Sequence, residues 1–129
     1  MDKAKLTGSA AILLVSDVDI SADYYRSKLG FESVRLYGDP HDFCILGRDG
    51  YFLMISKATA EDSVTPNWKL KDKTSNVYFW VNDAEKLYNE FLERGVEIDY
   101  TLHVTHYNIK EFGVSDPDGY DISFGEIQK

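Results

Sequence analysis

Asn76-Val77-Tyr78-Phe79-Trp80-Val81-Asn82-Asp83 is an alternating stretch rich in aromatic and β-branched residues that runs into an acidic turn, and Ala10-Ala11-Ile12-Leu13-Leu14-Val15-Ser16-Asp17 repeats its outline 66 residues earlier. Both read as strands, with Val15 and Asp17 matching Val81 and Asp83. A helical stretch follows each. In the second, Ala84, Leu87, Tyr88 and Phe91 fall at i, i+3, i+4 and i+7, one apolar stripe of a helix, with Asp83 placed to cap its start and Gly95 to stop it. In the first, Ala22, Tyr25 and Leu29 give a sparser stripe, with Asp19 as the expected cap and Gly30 as the stop. The units also end alike, because Asp49-Gly50-Tyr51 and Asp118-Gly119-Tyr120 read as hairpin turns, 69 residues apart, that lead into strands.

This internal duplication predicts one domain over residues 1–129, made of repeat units 8–56 and 75–126 joined by a linker at 57–74. The expected elements are strand 8–16, helix 20–29 and strands 31–37, 42–47 and 51–56. The second unit supplies strand 75–82, helix 84–94 and strands 97–104, 109–115 and 120–126. The fold class is α+β, with a strand–helix–three-strand unit used twice around a shared concave cavity.

Composition narrows the function. The 129 residues carry 14 Lys and Arg against 22 Asp and Glu, a net charge of −8. Nucleic-acid binding needs a basic face, so it is not expected. An acidic surface favours cationic small molecules over anionic ones. No apolar run approaches the roughly 18 residues of a membrane span, and Met1-Asp2-Lys3-Ala4-Lys5-Leu6 lacks a secretory stretch, so no membrane partner and a cytoplasmic location are expected. Cys44 is the only cysteine, which excludes an intramolecular disulfide and a cysteine-based zinc cage. Within Phe43-Cys44-Ile45-Leu46 it reads as a small buried hydrophobe.

Leu14-Val15-Ser16-Asp17, Tyr24-Tyr25 through Leu29-Gly30-Phe31, and above all Phe112-Gly113-Val114-Ser115-Asp116-Pro117-Asp118-Gly119 resemble the vicinal-oxygen-chelate superfamily of glyoxalases, bleomycin-resistance proteins and extradiol dioxygenases. The resemblance implies two βαβββ modules forming a curled eight-stranded sheet around a cavity. It also implies four metal-ligand positions, which here read Ala10, Met54, Asn76 and Ser123. None is a carboxylate or an imidazole, so no metal and no other cofactor is expected. Ala4-Lys5-Leu6, Leu53-Met54-Ile55-Ser56, Leu87-Tyr88 and Lys110-Glu111-Phe112 resemble the bleomycin-resistance branch. That branch implies a homodimer that sequesters a cationic glycopeptide-type antibiotic without catalysis. The alternatives are an enzyme of the same fold, with Glu111 as a general base, or a ligand sensor of unknown substrate.

Strand alternation places the site residues. Counting from Asn76, Tyr78 and Trp80 face the cavity and Val77, Phe79 and Val81 the helix. Ala10, Ile12 and Leu14, then Phe52, Met54 and Ser56, and lastly Asp121, Ser123 and Gly125 join the cavity face. With Phe112 and Val114 in the core, Glu111 turns inward. Asp42 and Phe43 match an Asp-Phe pair of the drug-binding branch. The expected ligand-binding set is therefore Asp42, Phe43, Phe52, Tyr78, Trp80, Glu111 and Ser123. Packing or a dimer contact would also account for Tyr78 and Trp80. For Glu111 the alternative to a cationic ligand is a rim salt bridge with Lys110 or Arg48 of either subunit. His103 and His106, three apart in a strand and its loop, are not expected to share a metal.

Overall fold

The computed structural model describes residues 3–60 and 64–129; Met1 and Asp2 of the start and residues 61–63 of the linker lie outside the described residues. The order is β1 (Ala10–Val15), α1 (Val18–Ser27), β2 (Ser33–Gly38), β3 (His41–Arg48), β4 (Tyr51–Lys57), α2 (Asn67–Leu70), β5 (Val77–Trp80), α3 (Ala84–Glu93), β6 (Ile98–Val104), β7 (Ile109–Ser115) and β8 (Asp121–Ile127). Two four-stranded mixed sheets result, ordered β1-β4-β3-β2 and β5-β8-β7-β6. Each has one parallel pair, β1 with β4 and β5 with β8, because the helix carries the chain across before the remaining strands return as hairpins. The expected βαβββ units are thus both present. They do not merge into one continuous curled wall: β1 and β5 are edge strands of separate sheets.

The two long helices, α1 and α3, each start on an aspartate whose carboxylate accepts an N–H of the first turn. Asp83 caps α3 through Lys86 N at 3.0 Å, as expected. For α1 the cap is Asp17, through Ile20 N at 3.0 Å, and Asp19 lies within the first turn. A cap residue needs extended backbone, and Asp17 has it at φ −146°. Both helices stop at a glycine with left-handed backbone, Gly30 and Gly95, each at φ 74°. After α3 the amide of Val96 closes back on Phe91 O and that of Gly95 on Leu92 O, the paired C-terminal closure that a left-handed residue permits. The Asp49–Gly50 turn joins β3 directly to β4, whereas the expected turn at Asp118–Gly119 is part of a longer loop between Ser115 and Asp121. Among the described residues of the linker lies one short helix, α2.

One continuous core joins the two units. Leu13, Val15, Tyr25, Leu29, Cys44, Leu46, Leu53 and Ile55 of the first meet Phe91, Phe112, Val114, Ile122 and Phe124 of the second, with Phe31 against Phe79 at 5.7 Å across the seam. Cys44 is fully buried there, and burial raises its thiol pKa.

Polar clasps hold the seam. Tyr25 donates to Asp116 Oδ2 at 2.7 Å, and Tyr24 to Ser115 O at 3.0 Å. Asp116 Oδ1 accepts the amides of Asp118 and Tyr120, both at 2.9 Å. Tyr120 donates to Leu14 O, and Asp118 accepts from the Ser16 hydroxyl and amide. The Asp116-Pro117-Asp118-Gly119 motif therefore acts as a buckle between units. On the other side Arg48 grips Glu90 through two nitrogens, at 2.8 and 3.1 Å, and also donates to Leu29 O. Lys28 and Arg94, equivalent residues of the repeat, each donate to the other helix end.

Candidate functional site

The helix-free faces of the two sheets are chemically unlike. On the first, Ala10, Ile12 and Leu14 of β1 stand with Phe52 and Met54 of β4 and Phe43 and Ile45 of β3. Ile12 is 62% exposed. This face is apolar. Phe52 lies over Gly47, where a Cβ would come within 2.8 Å of its ring, and Phe43 leans on Tyr37 at 6.0 Å.

On the second face, equivalent positions carry Tyr78 and Trp80 of β5, Asp121 and Ser123 of β8, and Glu111 and Gly113 of β7. Glu111 is 8% exposed, a depth at which a carboxylate needs partners. Among the described residues three phenols touch it. Tyr78 donates to Oε1 at 2.8 Å, Tyr107 to Oε1 at 3.2 Å, and Tyr100 approaches Oε2 at 3.1 Å. Tyr100 also stands 2.8 Å from Ser123 Oγ, which donates to Asp121 Oδ1 at 3.0 Å. Among the described residues no Lys, Arg or His pairs with Glu111: Arg48 is committed to Glu90, and Glu111 appears in no ion pair. Within the chain, the rim salt bridge weighed from the sequence gives way to a cage of tyrosines.

Two glycines make the cage possible. A Cβ on Gly125 would collide with the Tyr78 hydroxyl, and one on Gly113 with the Tyr100 ring and, at 2.8 Å, Asp121 Oδ1. Both rings therefore lie flat across the sheet and converge on β7. Burial raises the Tyr78 hydroxyl pKa, aided by the hydrogen bond to Glu111 and its charge. Burial likewise raises that of Tyr100, so both stay protonated donors. Asp121 is pushed well above the usual carboxylate range by burial first and then by its hydrogen bond with Asp99. Trp80, 60% exposed, stands beside Tyr78 with ring centres 4.9 Å apart. The face combines an uncompensated negative charge with accessible aromatic surface.

The expected site residues divide between the two faces. Tyr78, Trp80, Glu111 and Ser123 belong to the second face; Phe43 and Phe52 lie on the first. Asp42 alternates with Phe43 and is exposed, its carboxylate beside Gly38. Tyr100 and Tyr107 are additions the sequence reading missed. His103 is opposite Glu111 across the β6–β7 ladder, but its Nδ1 lies 2.9 Å from Thr101 O. His106 packs on Tyr107.

The four positions where relatives would ligate a metal do not fit one. Ala10 and Met54 offer no hard donor. Asn76 Oδ1 accepts the amide of Asn67 at 2.9 Å, and Ser123 is spent in the Tyr100–Asp121 chain. Among the described residues no three His, Cys, Asp or Glu side chains converge as a metal site, and no helix is long and apolar enough to cross a membrane.

The sequence model of the Glyoxalase/Bleomycin resistance protein/Dioxygenase superfamily matches residues 8–124. The chain belongs to that superfamily. Among solved members of this glyoxalase/bleomycin-resistance fold, a bleomycin-binding protein from the bleomycin-producing Streptomyces verticillus, complexed with copper(II)-bleomycin, superposes with a TM-score of 0.74 at 23% identity, covering 98% of this chain and 100% of that one. TnmS3, an antibiotic binding protein from a Streptomyces species, gives 0.71 at 18% identity, covering 98% and 100%. A glyoxalase-related enzyme from Clostridium phytofermentans gives 0.77 at 12% identity, covering 97% and 98%. At these identities the likeness concerns the glyoxalase/bleomycin-resistance fold. No curated protein sequence matches the chain.

Proposed function

We propose that this chain is a metal-independent binding protein that sequesters a cationic, partly aromatic antibiotic of the bleomycin type. One observation carries the reading: Glu111 is buried on an open aromatic face, in contact with three phenols and matched by no cation among the described residues. A charge kept this way attracts a positive ligand, and Tyr78 and Trp80 supply rings on which a planar heteroaromatic part stacks. The bleomycin-binding and antibiotic-binding proteins of similar fold support this ligand class. The three phenol contacts leave Glu111 poorly placed to take a proton from substrate, which favours binding over catalysis.

The working unit is a homodimer. The apolar first face, with Ile12, Leu14 and Phe52 exposed, suits a lid over the acidic second face of a partner, and Phe43 and Phe52 would then enter the site from the second copy. Light scattering should return about twice the 14.7 kDa of one chain. Titration with bleomycin or phleomycin at low salt should quench Trp80 fluorescence. Trp68 should respond less, because its indole donates to Gly119 O away from the cage. Glu111→Gln keeps an amide oxygen to accept from Tyr78 and Tyr107 and should weaken binding by roughly 1–3 kcal/mol, beyond whatever it costs in thermal stability. Calorimetry that detects neither drug binding at tens of micromolar would refute the sequestration reading.

A further inference from the structure

The cage has a property beyond its charge, and it bears on which cations it accepts. Resting on the proposal that the second face is a cation site, we infer that it selects onium groups that carry no N–H, quaternary ammonium or sulfonium, over primary ammonium and guanidinium. A carboxylate offers about four lone-pair positions. On Glu111 both positions of Oε1 are met by the hydroxyls of Tyr78 and Tyr107, and the Tyr100 hydroxyl, whose one proton goes to Ser123 Oγ at 2.8 Å, crowds Oε2 at 3.1 Å. The negative charge stays, but Oε1 is spent and only Oε2, beside the Tyr100 oxygen, keeps hydrogen-bond capacity.

A primary ammonium brings three N–H donors and a guanidinium five. Leaving water for this face, either would find only the crowded Oε2 of Glu111 and otherwise the aromatic walls, fewer acceptors than its donors need. The remaining donors would lose their water partners without replacement, which is costly at a desolvated site. Asp121 and Ser123 do not make up the deficit, because both are buried and already bonded to each other. His103, the other polar group opposite Glu111, has Nδ1 turned to its own strand.

An onium group asks for no acceptors. Its charge is spread over methyl groups that contact π faces, and quaternary ammonium recognition by aromatic cages works in this way. The walls are present: Tyr78 and Trp80 are paired at 4.9 Å, and Tyr107 is 55% exposed on the rim. Glu111 beneath them supplies the long-range attraction that a purely aromatic cage lacks.

The test compares benzyltrimethylammonium, benzylammonium, benzylguanidinium and the neutral isostere neopentylbenzene. Binding is followed by Trp80 fluorescence in a Trp68→Phe background and by calorimetry at low salt. The expected result is roughly tenfold tighter binding of benzyltrimethylammonium than of benzylammonium or benzylguanidinium, with neopentylbenzene weakest. Glu111→Gln should abolish the advantage over the neutral isostere. Tyr107→Phe removes one competing hydroxyl at an exposed position and frees a lone pair on Oε1. It should tighten benzylammonium binding several-fold while benzyltrimethylammonium stays within about twofold, and this variant keeps the test decisive should Glu111→Gln fold poorly. Equal or tighter binding of benzylammonium or benzylguanidinium to the wild type overturns the inference, as does a Tyr107→Phe variant with unchanged selectivity. Bleomycin binding without onium selectivity overturns this inference alone. Onium selectivity without bleomycin binding overturns the drug reading alone.

Discussion

Replacing Tyr25 by Phe probes the buckle between the two units at one atom. The ring of Tyr25 is fully buried between Tyr24 and Phe31, so Phe fills its place and only the hydroxyl is lost. That hydroxyl donates at 2.7 Å to Asp116 Oδ2, whereas Oδ1 keeps the amides of Asp118 and Tyr120. Burial pushes the Asp116 carboxyl up to about 6, although the bonds from Tyr25 and the two amides pull it down. At pH 8 the carboxylate is charged, and losing a hydrogen bond to a charged group costs roughly 1.5–3 kcal/mol. At pH 5 the carboxyl is protonated and the bond is between neutral groups, worth roughly 0.5–1.5 kcal/mol. The penalty should therefore shrink by about 1 kcal/mol as pH falls through 6. For a chain of this size about 1 kcal/mol moves the melting temperature by roughly 3–5 °C, so the variant should melt about 5–15 °C lower at pH 8 and about 2–8 °C lower at pH 5. Urea unfolding followed by circular dichroism at both pH values measures the difference directly. A penalty under about 0.5 kcal/mol at pH 8, or one that does not change with pH, would refute the assignment of Asp116 as a charged buckle.

Asp116 also sets a pH slope for the wild type. Its folded pKa of about 6 lies above the ordinary 3.8, so the folded state holds the proton more tightly and stability falls as pH rises between these values. Linkage gives a loss of about 2 kcal/mol from pH 4.5 to 7.5 from this group, and Asp116→Asn should flatten that part of the urea profile. Gly113→Ala should expel the Tyr100 ring from its place, lowering ligand affinity at least about tenfold and stability by roughly 1–3 kcal/mol; unchanged calorimetric binding would contradict the cage. Glu90→Gln leaves Arg48 its bond to Leu29 O but removes the charge of a half-exposed pair, so a cost of about 1 kcal/mol that declines in high salt is expected from denaturation at two ionic strengths. Treatment with a chelator should leave the melting temperature unchanged, since Ala10 and Met54 provide no ligand and Asn76 and Ser123 are bonded elsewhere.

Where the chain keeps a strict period of two, its faces could be read from the sequence. Tyr78, Trp80, Glu111 and Ser123 lie on the second helix-free face as alternation requires, and the repeat located both helices and both terminating glycines. Tyr100 escaped because β6 is irregular, with register shifts on both sides of it. A bulge of this kind places Tyr100 and His103, three apart, on the same side. Tyr107 lies in the turn after β6, where alternation gives no direction. Its hydroxyl reaches Glu111 only through the path of that turn. The cap of α1 was misplaced by two residues although the repeat held the answer: Asp17 is the equivalent of Asp83, and both cap their helices. That the units form separate sheets was not readable either, because edge pairing between β1 and β5 depends on how the core seats the units.

The buckle also sets a schedule for the newborn chain. Leu14, Ser16 and Tyr25 emerge early, yet their partners at Asp116, Asp118 and Tyr120 lie 91 to 106 residues downstream. At a synthesis rate of roughly 5–20 residues per second, the first half waits about 5–20 s at the ribosome with its seam uncovered. A nascent chain stalled at residue 110 should accordingly be open to protease near α1, and release of the finished chain should close it.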